Sequence, residues 1–188
     1  MGEGKCDLRL GKILLDRGEI ARRVSEIADE ITRTYSGQEI IVTGVLKGAV
    51  IFMTDLVRQI GSEVDVRMDF MAVSSYGNSS TSSGVVKIVK DMDASIEGKN
   101  VLIVEDIMDT GLTLSYLSGI MTAREPKSVR TCVLLEKPER KRVESKIAYR
   151  GFVIPDEFVV GYGLDYAGRW RNLPDIWRVE EERNGPRV

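Results

Sequence analysis

The chain has 188 residues, a length typical of one domain with a sizeable hydrophobic core. Its 27 Lys and Arg residues against 29 Asp and Glu give a formal net charge of -2, so the general positive charge typical of nucleic-acid-binding proteins is lacking. The chain contains no histidine, which excludes Ser-His and Cys-His nucleophile systems and histidine-ligated zinc. A carboxylate is therefore the expected general base, and a hard, oxygen-bound cation is the expected metal.

The cysteines and the apolar segments indicate a reducing, aqueous environment. Cys6 and Cys132 lie far apart, and Cys132 stands within an apolar run, which favours reduced thiols over a disulfide or a metal site. No segment approaches the roughly 20 apolar residues of a membrane-spanning helix, and no apolar region follows a basic start. We expect a cytoplasmic protein with no membrane or nucleic-acid partner.

The first third of the chain predicts an N-terminal arm and then alternating helices and strands. The arm, residues 1–15, has apolar residues without a clean period and is assigned as a short strand or an extended segment. A helical stripe follows Asp16, which has the capping-box spacing to Glu19, and it ends at Ser36 and Gly37. Residues 39–46 predict a buried strand, residues 50–60 a helix, and residues 64–73 another strand.

Two loops in this part are candidates for function. Lys47 and Gly48 join a strand to a helix, where they either form an ordinary solvated loop or let the backbone approach a diphosphate closely. Residues 74–86, rich in serine, cannot pack by composition and predict a mobile loop at the tip of a hairpin. This loop is either a plain surface loop or a lid that excludes water.

The central stretch of the sequence is V-L-I-V-E-D-I-M-D-T-G-L-T, residues 101–113. Its first four residues predict a strand buried on both faces, and three carboxylates follow, Glu105, Asp106 and Asp109. A hydroxyl- and glycine-containing turn then leads into a helix with Leu114 and Leu117 at helical spacing. The carboxyl ends of parallel strands and the N-termini of helices are where phosphates bind, so the turn is suited to a phosphate and the acids to hydroxyls or a metal.

The last third contains a further strand at residues 129–135, which ends beside Lys137. The highly charged residues 139–146 predict a solvated connector, and residues 183–188 a polar tail. On pattern alone, Phe158 and Val159 predict core positions of a last strand.

The acidic strand end with D-T-G-L-T resembles the phosphoribosyl diphosphate (PRPP) motif of type I phosphoribosyltransferases. Lys137 after the fourth strand, then I-P-D-x-F-V-V-G-Y-x-L-D-Y and R-N-L-P, narrow the resemblance to the hypoxanthine-guanine phosphoribosyltransferases over about residues 8–180. It implies an α/β fold, a central mostly parallel sheet flanked by helices. One domain is expected over residues 1–188, with a small hood from about residues 1–15 and 138–180.

The resemblance also implies an activity in purine salvage. The 5-phosphoribosyl group of PRPP would pass to N9 of hypoxanthine or guanine, giving IMP or GMP and diphosphate, with Mg2+ as cofactor. A homodimer or a homotetramer is implied as the assembly. Xanthine and uracil phosphoribosyltransferases remain alternative enzymes, and a PRPP- or nucleotide-sensing regulator that binds RNA is the non-enzymatic alternative.

Residue roles follow from the same resemblance. Asp109 is implied as the general base, Glu105 and Asp106 as partners of the ribose hydroxyls, Lys137 as the donor to the 6-oxygen, and Ser75 and Tyr76 as the pair in the closing loop. Asp165 is implied beside the purine and, with Glu105 and Asp106, as a magnesium ligand. The PRPP-binding set is Leu46, Lys47, Gly48, Glu105, Asp106, Asp109, Thr110, Gly111, Leu112, Thr113 and Arg171, and the purine-binding set is Lys137, Phe158, Val159 and Asp165.

Two positions depart from the family pattern. Leu112 stands where some relatives have a basic residue, so the turn would bind phosphate through its backbone there and not through a side chain. Trp177 lies in a region that frames the purine pocket in relatives, so the preference among hypoxanthine, guanine and xanthine stays open.

Overall fold

The computed structural model describes residues 8–75 and 86–181. The strands are β1 (Leu8–Leu15), β2 (Glu39–Leu46), β3 (Asp65–Ser75), β4 (Val86–Lys90), β5 (Asn100–Met108), β6 (Ser128–Glu136), β7 (Tyr149–Val153), β8 (Val159–Val160) and β9 (Ile176–Glu181). The helices are α1 (Arg17–Tyr35), α2 (Val50–Val57) and α3 (Leu112–Thr122), with a 3-10 turn at Pro138–Arg140.

A six-stranded sheet in the order β4-β3-β2-β5-β6-β7 forms the centre of the fold. All its neighbouring strands are parallel except the edge pair of β3 and β4. Helices α1 and α2 cover one face, and α3 covers the other with Leu114, Leu117 and Met121. Strands buried on both faces are mostly apolar, and β2 and the first half of β5 accordingly carry apolar runs, with the buried Thr43 as the polar exception within β2. The predicted mostly parallel α/β sheet is confirmed.

Helix α1 begins as its sequence predicts. The Asp16 side chain accepts hydrogen bonds from the backbone N–H groups of Gly18 and Glu19, and the Glu19 side chain accepts from the Asp16 N–H. This reciprocal capping box satisfies donors that a helix N-terminus otherwise leaves free. The apolar stripe of α1 is fully buried against the sheet.

A second, three-stranded sheet in the order β1-β9-β8 is called the hood here. It joins the two ends of the described chain, with Leu8 opposite Glu181. Strand β7 lies within the range expected for the hood, but it pairs with β6 in the large sheet. Below the hood, Arg17 donates three hydrogen bonds to the Asp175 carboxylate, one from its backbone and two from its guanidinium, at 2.9–3.2 Å.

Three boundaries differ from the predictions. Strand β5 continues to Met108 because Glu105 and Ile107 pair with β6, so Glu105 and Asp106 belong to the strand. Helix α2 ends at Val57, before the expected Ile60. Strand β3 continues to Ser75, whereas Tyr76 and most of the predicted lid loop lie outside the described residues. Of the helices that the structure describes, none has the length and hydropathy to cross a membrane.

Candidate active site

The predicted site residues meet at the edge where β2, β5 and β6 end. Lys47 and Gly48 follow β2, Asp109 follows β5, and Lys137 follows β6. Ligands of open parallel sheets bind in the crevice at this edge. The topology therefore brings together residues that lie up to 90 positions apart in the printed sequence.

The turn from β5 to α3 forms a small cavity of about 70 Å3, lined among others by Asp109, Thr110 and Thr113. Gly111 occupies the N-cap position of α3 in the left-handed region, at φ 80°, and offers no side chain to the helix N-terminus. The Thr110 hydroxyl accepts one long bond, 3.4 Å, from the Leu112 N–H. The turn thus presents backbone donors and the positive end of an 11-residue helix to an anion.

The connector after β6 braces this turn from outside. The N–H groups of Arg142 and Val143 donate to the Thr110 carbonyl at 3.0 and 3.4 Å. The Ser145 hydroxyl donates to the Gly111 carbonyl at 3.3 Å. The side chains of this segment are mostly exposed, as predicted, but its backbone holds the turn in place.

Two acids at the end of β5, Glu105 and Asp106, are partly buried. Burial raises the pKa of Glu105 well above its ordinary value, and the neighbouring Asp106 raises it further. Burial also raises the pKa of Asp106 to about 6, while the Ile107 N–H and the charge of Arg171 act in the opposite direction. Oε2 of Glu105 is buried and has no hydrogen-bond partner among residues 8–75 and 86–181. A buried acceptor of this kind calls for a donor or a cation that the described residues do not provide.

The loop after β2 approaches these acids closely. The Leu46-Lys47 peptide bond is cis. A Cβ on Gly48 would overlap the Asp106 carboxylate, and a Cβ on Gly163 would overlap the Gly48 carbonyl oxygen. Glycine at both positions therefore allows three segments to meet.

Arg171 and Asp165 complete this side of the crevice. Arg171 Nη1 donates to the Gly163 carbonyl at 2.6 Å, and Nη2 lies 2.5 Å from Asp165 Oδ1. Asp165 Oδ2 accepts a bond of 2.6 Å from the Gly168 N–H. The loop that carries both residues is thus fixed by its own charged pair.

A chain of four charged side chains lies on the other side of the crevice. Lys137 is 6% exposed, and its Nζ lies 3.6 Å from Asp156 Oδ1. Arg140 lies between two acids, with Nη1 3.7 Å from Asp156 Oδ1 and Nε 3.1 Å from Asp109 Oδ1. The contact with Asp109 is an ion pair without hydrogen-bond geometry, because Asp109 Oδ1 has no hydrogen-bond partner among the described residues.

The sequence analysis did not single out Arg140 or Asp156. A buried lysine needs an opposite charge nearby, so Lys137 predicts an acid within reach. The sequence alone could not choose among the many acids of this region.

Phe158 and Val159 have different environments. Val159 is buried, as its pattern predicts, whereas Phe158 is 52% exposed, so the prediction of a core position for Phe158 is wrong. Its ring meets Tyr166 edge to face, with centroids 5.6 Å apart. Tyr166 in turn stacks on Trp170 at 6.3 Å. The backbone holds Phe158 outward at the start of β8, where its carbonyl accepts from the Val179 N–H at 2.9 Å. An exposed ring held in this way is suited to stack on a planar ligand.

The largest described cavity, about 630 Å3, lies elsewhere. It is bounded by α1, α2 and residues 172–174, and Tyr162 donates to Asp55 on its wall at 2.7 Å. It contains none of the predicted site residues. The cavity volume therefore does not point to the site. The unpartnered Glu105 oxygen, the helix N-terminus and the buried lysine identify the crevice at the sheet edge as the candidate site.

Comparison with known proteins adds independent information. A model of the phosphoribosyl transferase domain matches residues 11–167. Hypoxanthine-guanine phosphoribosyltransferase of Bacillus subtilis is 51% identical over 165 residues, 88% of this chain and 91% of that protein. A crystal structure of a hypoxanthine-guanine phosphoribosyltransferase from Bacillus anthracis superposes with a TM-score of 0.86 at 46% identity, covering 90% of this chain and 99% of that one.

Other relatives are much longer. The bifunctional protein TilS/HprT of Listeria monocytogenes is 51% identical over 171 residues, which are 91% of this chain but only 26% of the relative. The chain thus spans about a quarter of those proteins.

Proposed function

This chain belongs to the phosphoribosyltransferase family, in the group of hypoxanthine-guanine phosphoribosyltransferases, and from that premise we propose its reaction. It transfers the 5-phosphoribosyl group of PRPP to N9 of hypoxanthine or guanine and releases IMP or GMP with diphosphate. The observation that carries the proposal is the meeting, at one sheet edge, of an anion-binding helix turn, two partly buried acids and a buried lysine.

PRPP lies along the acidic strand end in this proposal. The backbone N–H groups and hydroxyls of the turn at residues 109–113 bind the 5-phosphate, with Leu112 contributing its backbone only. Glu105 and Asp106 accept hydrogen bonds from the ribose hydroxyls, and the unpaired Oε2 of Glu105 supports that role. Lys47, Gly48 and Arg171 bind the diphosphate, where a guanidinium and an ammonium offset its charge.

Magnesium fits the donors of this site. The available groups are carboxylate oxygens, which Mg2+ prefers, and no three acidic or cysteine side chains of the described residues form a closed metal cage. Mg2+ characteristically uses one or two carboxylates together with substrate phosphates, so an open set is appropriate. We assign Glu105, Asp106 and Asp165 as the acids from which it would take one or two ligands, with the substrate phosphates providing others. The ion offsets charge on the diphosphate when bound.

The purine lies between Phe158 and Lys137 in the same proposal. Phe158 stacks on the ring, the Val159 backbone contacts its edge, and Asp165 lies beside it. The Lys137 ammonium donates to the 6-oxygen, which selects oxopurines over aminopurines. Asp109 takes the proton of the five-membered ring as the bond from the ring nitrogen to C1′ forms and the bond from C1′ to diphosphate breaks.

Catalysis in this arrangement is mainly placement and electrostatics. The transition state develops positive charge on the ribose and negative charge on diphosphate. Acids beneath the ribose and cations around the diphosphate match that distribution. Proton removal by Asp109 adds a typical factor of about 10²- to 10⁴-fold.

The test is a panel assay of the purified protein with PRPP, Mg2+ and each of hypoxanthine, guanine, xanthine, adenine and uracil. We expect nucleotide and diphosphate from hypoxanthine or guanine. Turnover with uracil would contradict the roles of Lys137 and Phe158 but leave the PRPP site. No turnover with any base, together with RNA retention that depends on salt, would favour the regulatory alternative.

Asp109→Asn is the matched variant for this panel. It is isosteric and should lower kcat by about 100-fold or more while changing PRPP affinity little, because an amide cannot take the proton. Near-normal turnover would remove Asp109 from the chemistry.

We also propose that the working form is a homodimer or a homotetramer, as the family resemblance implies. A solved hypoxanthine phosphoribosyltransferase of Trypanosoma cruzi was described for the role of its C-terminal region in oligomeric state and enzymatic activity, at 42% identity to this chain. Light scattering of the purified protein decides between the two forms, and a monomer would contradict both.

A further inference from the structure

The four charged side chains beside the base site form a balanced series. In order they are Lys137, Asp156, Arg140 and Asp109, with neighbouring charges 3.6, 3.7 and 3.1 Å apart. Each cation alternates with an acid, so the set is neutral. In this arrangement the Lys137 ammonium faces Asp156, and the Arg140 guanidinium occupies the carboxylate of Asp109.

Both end members are thus engaged with the wrong partners for the reaction. In the proposed function Lys137 donates to the purine 6-oxygen and Asp109 accepts a ring proton. Arg140 lies against Oδ1 of Asp109, the kind of atom that must take that proton. Asp156 lies against the ammonium that must meet the 6-oxygen. Binding of the base must therefore break both contacts.

We propose that the purine exchanges these partners in one coupled step. Lys137 leaves Asp156 for the 6-oxygen, Arg140 swings from Asp109 to the vacated Asp156, and Asp109 is freed for the ring N–H. Arg140 and Asp156 are positioning residues, since they act through Asp109 and Lys137 and not on the substrates themselves. The inference rests on the proposed roles of Lys137 and Asp109. It adds that recognition of the purine by Lys137 is coupled to the release of Asp109, the general base, from Arg140.

The geometry makes this exchange inexpensive. Two of the three contacts are longer than a hydrogen bond, and the third lacks hydrogen-bond alignment, so each is held by charge alone. The Arg140 and Asp156 side chains are about half exposed, at 46% and 44%. Ion pairs at such exposed positions contribute little to stability, so they break and re-form readily. No proton moves and no covalent bond changes in the exchange.

The backbone meanwhile stays fixed. Arg142 and Val143 bind the Thr110 carbonyl, so the connector cannot lift away with the side chain. Arg140 itself is held by the 3-10 turn, in which its N–H donates to the Lys137 carbonyl at 3.2 Å. Only the guanidinium needs to swing between its two acids.

A double-mutant cycle tests the exchange, with kcat and KM for hypoxanthine and guanine as the readouts. Asp156→Asn removes the negative charge that would attract Arg140 and leaves Arg140 on Asp109, so kcat should fall about 10-fold. Arg140→Gln removes the obstacle and should keep kcat within about 3-fold of the starting protein. Asp156→Asn added to Arg140→Gln should then lower kcat no further, because nothing remains to be relocated.

Two control variants make the result specific. Glu139→Gln changes an exposed charge on the same turn and should leave both constants unchanged. Asp156→Glu keeps the carboxylate charge and should therefore keep most of the kcat of the starting protein. Asp156→Asn also removes the ion-pair partner of Lys137. Because this loss is the same in the starting protein and in Arg140→Gln, its effect on kcat cancels in the comparison.

Equal losses from Asp156→Asn in the two backgrounds would overturn the exchange and indicate a structural role. If the starting protein is active and the losses are additive, the proposed function stands and only the exchange is overturned. If the starting protein shows no turnover, the exchange and the proposed function are both overturned. Thermal unfolding of each variant checks the fold. If Asp156→Asn does not fold, Asp156→Ser replaces it under the same two outcomes.

Discussion

Individual charged residues at the sheet edge are buried against the preferences of their side chains. Lys137 is almost covered and has one acid within 3.6 Å, while Glu105 has a buried oxygen without a partner in the described chain. Burying such groups costs free energy unless they are paired. A bound ligand that pairs with these groups would offset that cost. The role of each group can be tested by a substitution that removes its charge.

Lys137→Ala should weaken binding of 6-oxopurines selectively, because the donor to the 6-oxygen is lost. We expect KM for hypoxanthine and guanine to rise about 10-fold or more, the usual scale for a lost specific hydrogen bond to a charged group. The measurement is kcat/KM for 6-oxopurines against adenine. An equal loss for both classes would remove Lys137 from base reading.

Glu105→Gln should raise the stability of the protein and lower its activity. The amide removes a buried negative charge beside Asp106 and keeps the shape of the side chain, so the free energy of unfolding should rise by about 1 kcal/mol. The same change should lower kcat/KM, because one acceptor for the ribose hydroxyls is weakened. Urea unfolding and initial rates on the same preparation measure both quantities. A stability loss would show that the carboxylate is paired in the native protein.

Elements with regular patterns were the ones that the sequence could predict. Helix α1, β2, α2, β5 and β6 have continuous helical or apolar patterns, and their packing follows those patterns. Strand β9 was not predicted, since Ile176–Glu181 is short and gains its form by pairing between β1 and β8. The arm lacked a clean period because β1 pairs with irregular register on both sides of Ile13, which interrupts the alternation of a strand.

The same distinction holds within the site. Asp109 and Lys137 both follow neighbouring parallel strands, so their approach could be inferred from the chain order. Arg140 and Asp156 reach the crevice by irregular segments, and no periodic pattern records that path. The outward position of Phe158 was missed for a related reason, because a strand of two residues at β8 has too little alternation to set its faces.

The cap of α1 provides a prediction at the scale of one element. Asp16→Ala removes the acceptor for two backbone N–H groups and should lower the free energy of unfolding by about 1 kcal/mol. Asp16→Asn keeps a capping oxygen and is the matched control, with a loss well below that of alanine. Urea unfolding followed by circular dichroism gives both values. Equal stability of the alanine variant would show that the box contributes nothing.

At the scale of the whole molecule, the Arg17 and Asp175 pair ties the start of helix α1 to the residue that precedes hood strand β9. Hydrogen bonds from the Arg17 guanidinium and then from its backbone N–H lower the pKa of Asp175 below its ordinary value. A lowered pKa means that the unfolded chain binds the proton more tightly. The pair therefore adds stability above the unfolded pKa of about 3.9, and that stability is lost as the pH falls through the lower folded pKa.

Asp175→Asn should accordingly reduce Tm at neutral pH, and the difference from the starting protein should shrink below about pH 4. Differential scanning calorimetry from pH 3 to pH 8 measures it. Arg9, whose partner Glu180 is half exposed, offers a contrast in the same hood, and Arg9→Gln should change Tm little. A pH-independent Tm difference for Asp175→Asn would assign its effect to packing alone.

The joining of both chain ends in the hood has a consequence for biosynthesis. Among the described strands β1 pairs only with β9, so during synthesis β1 stays without a partner strand until β9 has left the ribosome. Strands β2 to β6, the turn at residues 109–113 and Lys137 are complete well before then. Because domains fold from the N-terminus as they are made, and distant contacts form slowly, the phosphate side of the crevice can assemble on the nascent chain. The wall around Phe158 closes only when β9 has emerged to pair with β8, so a chain stalled before β9 would hold half of the crevice.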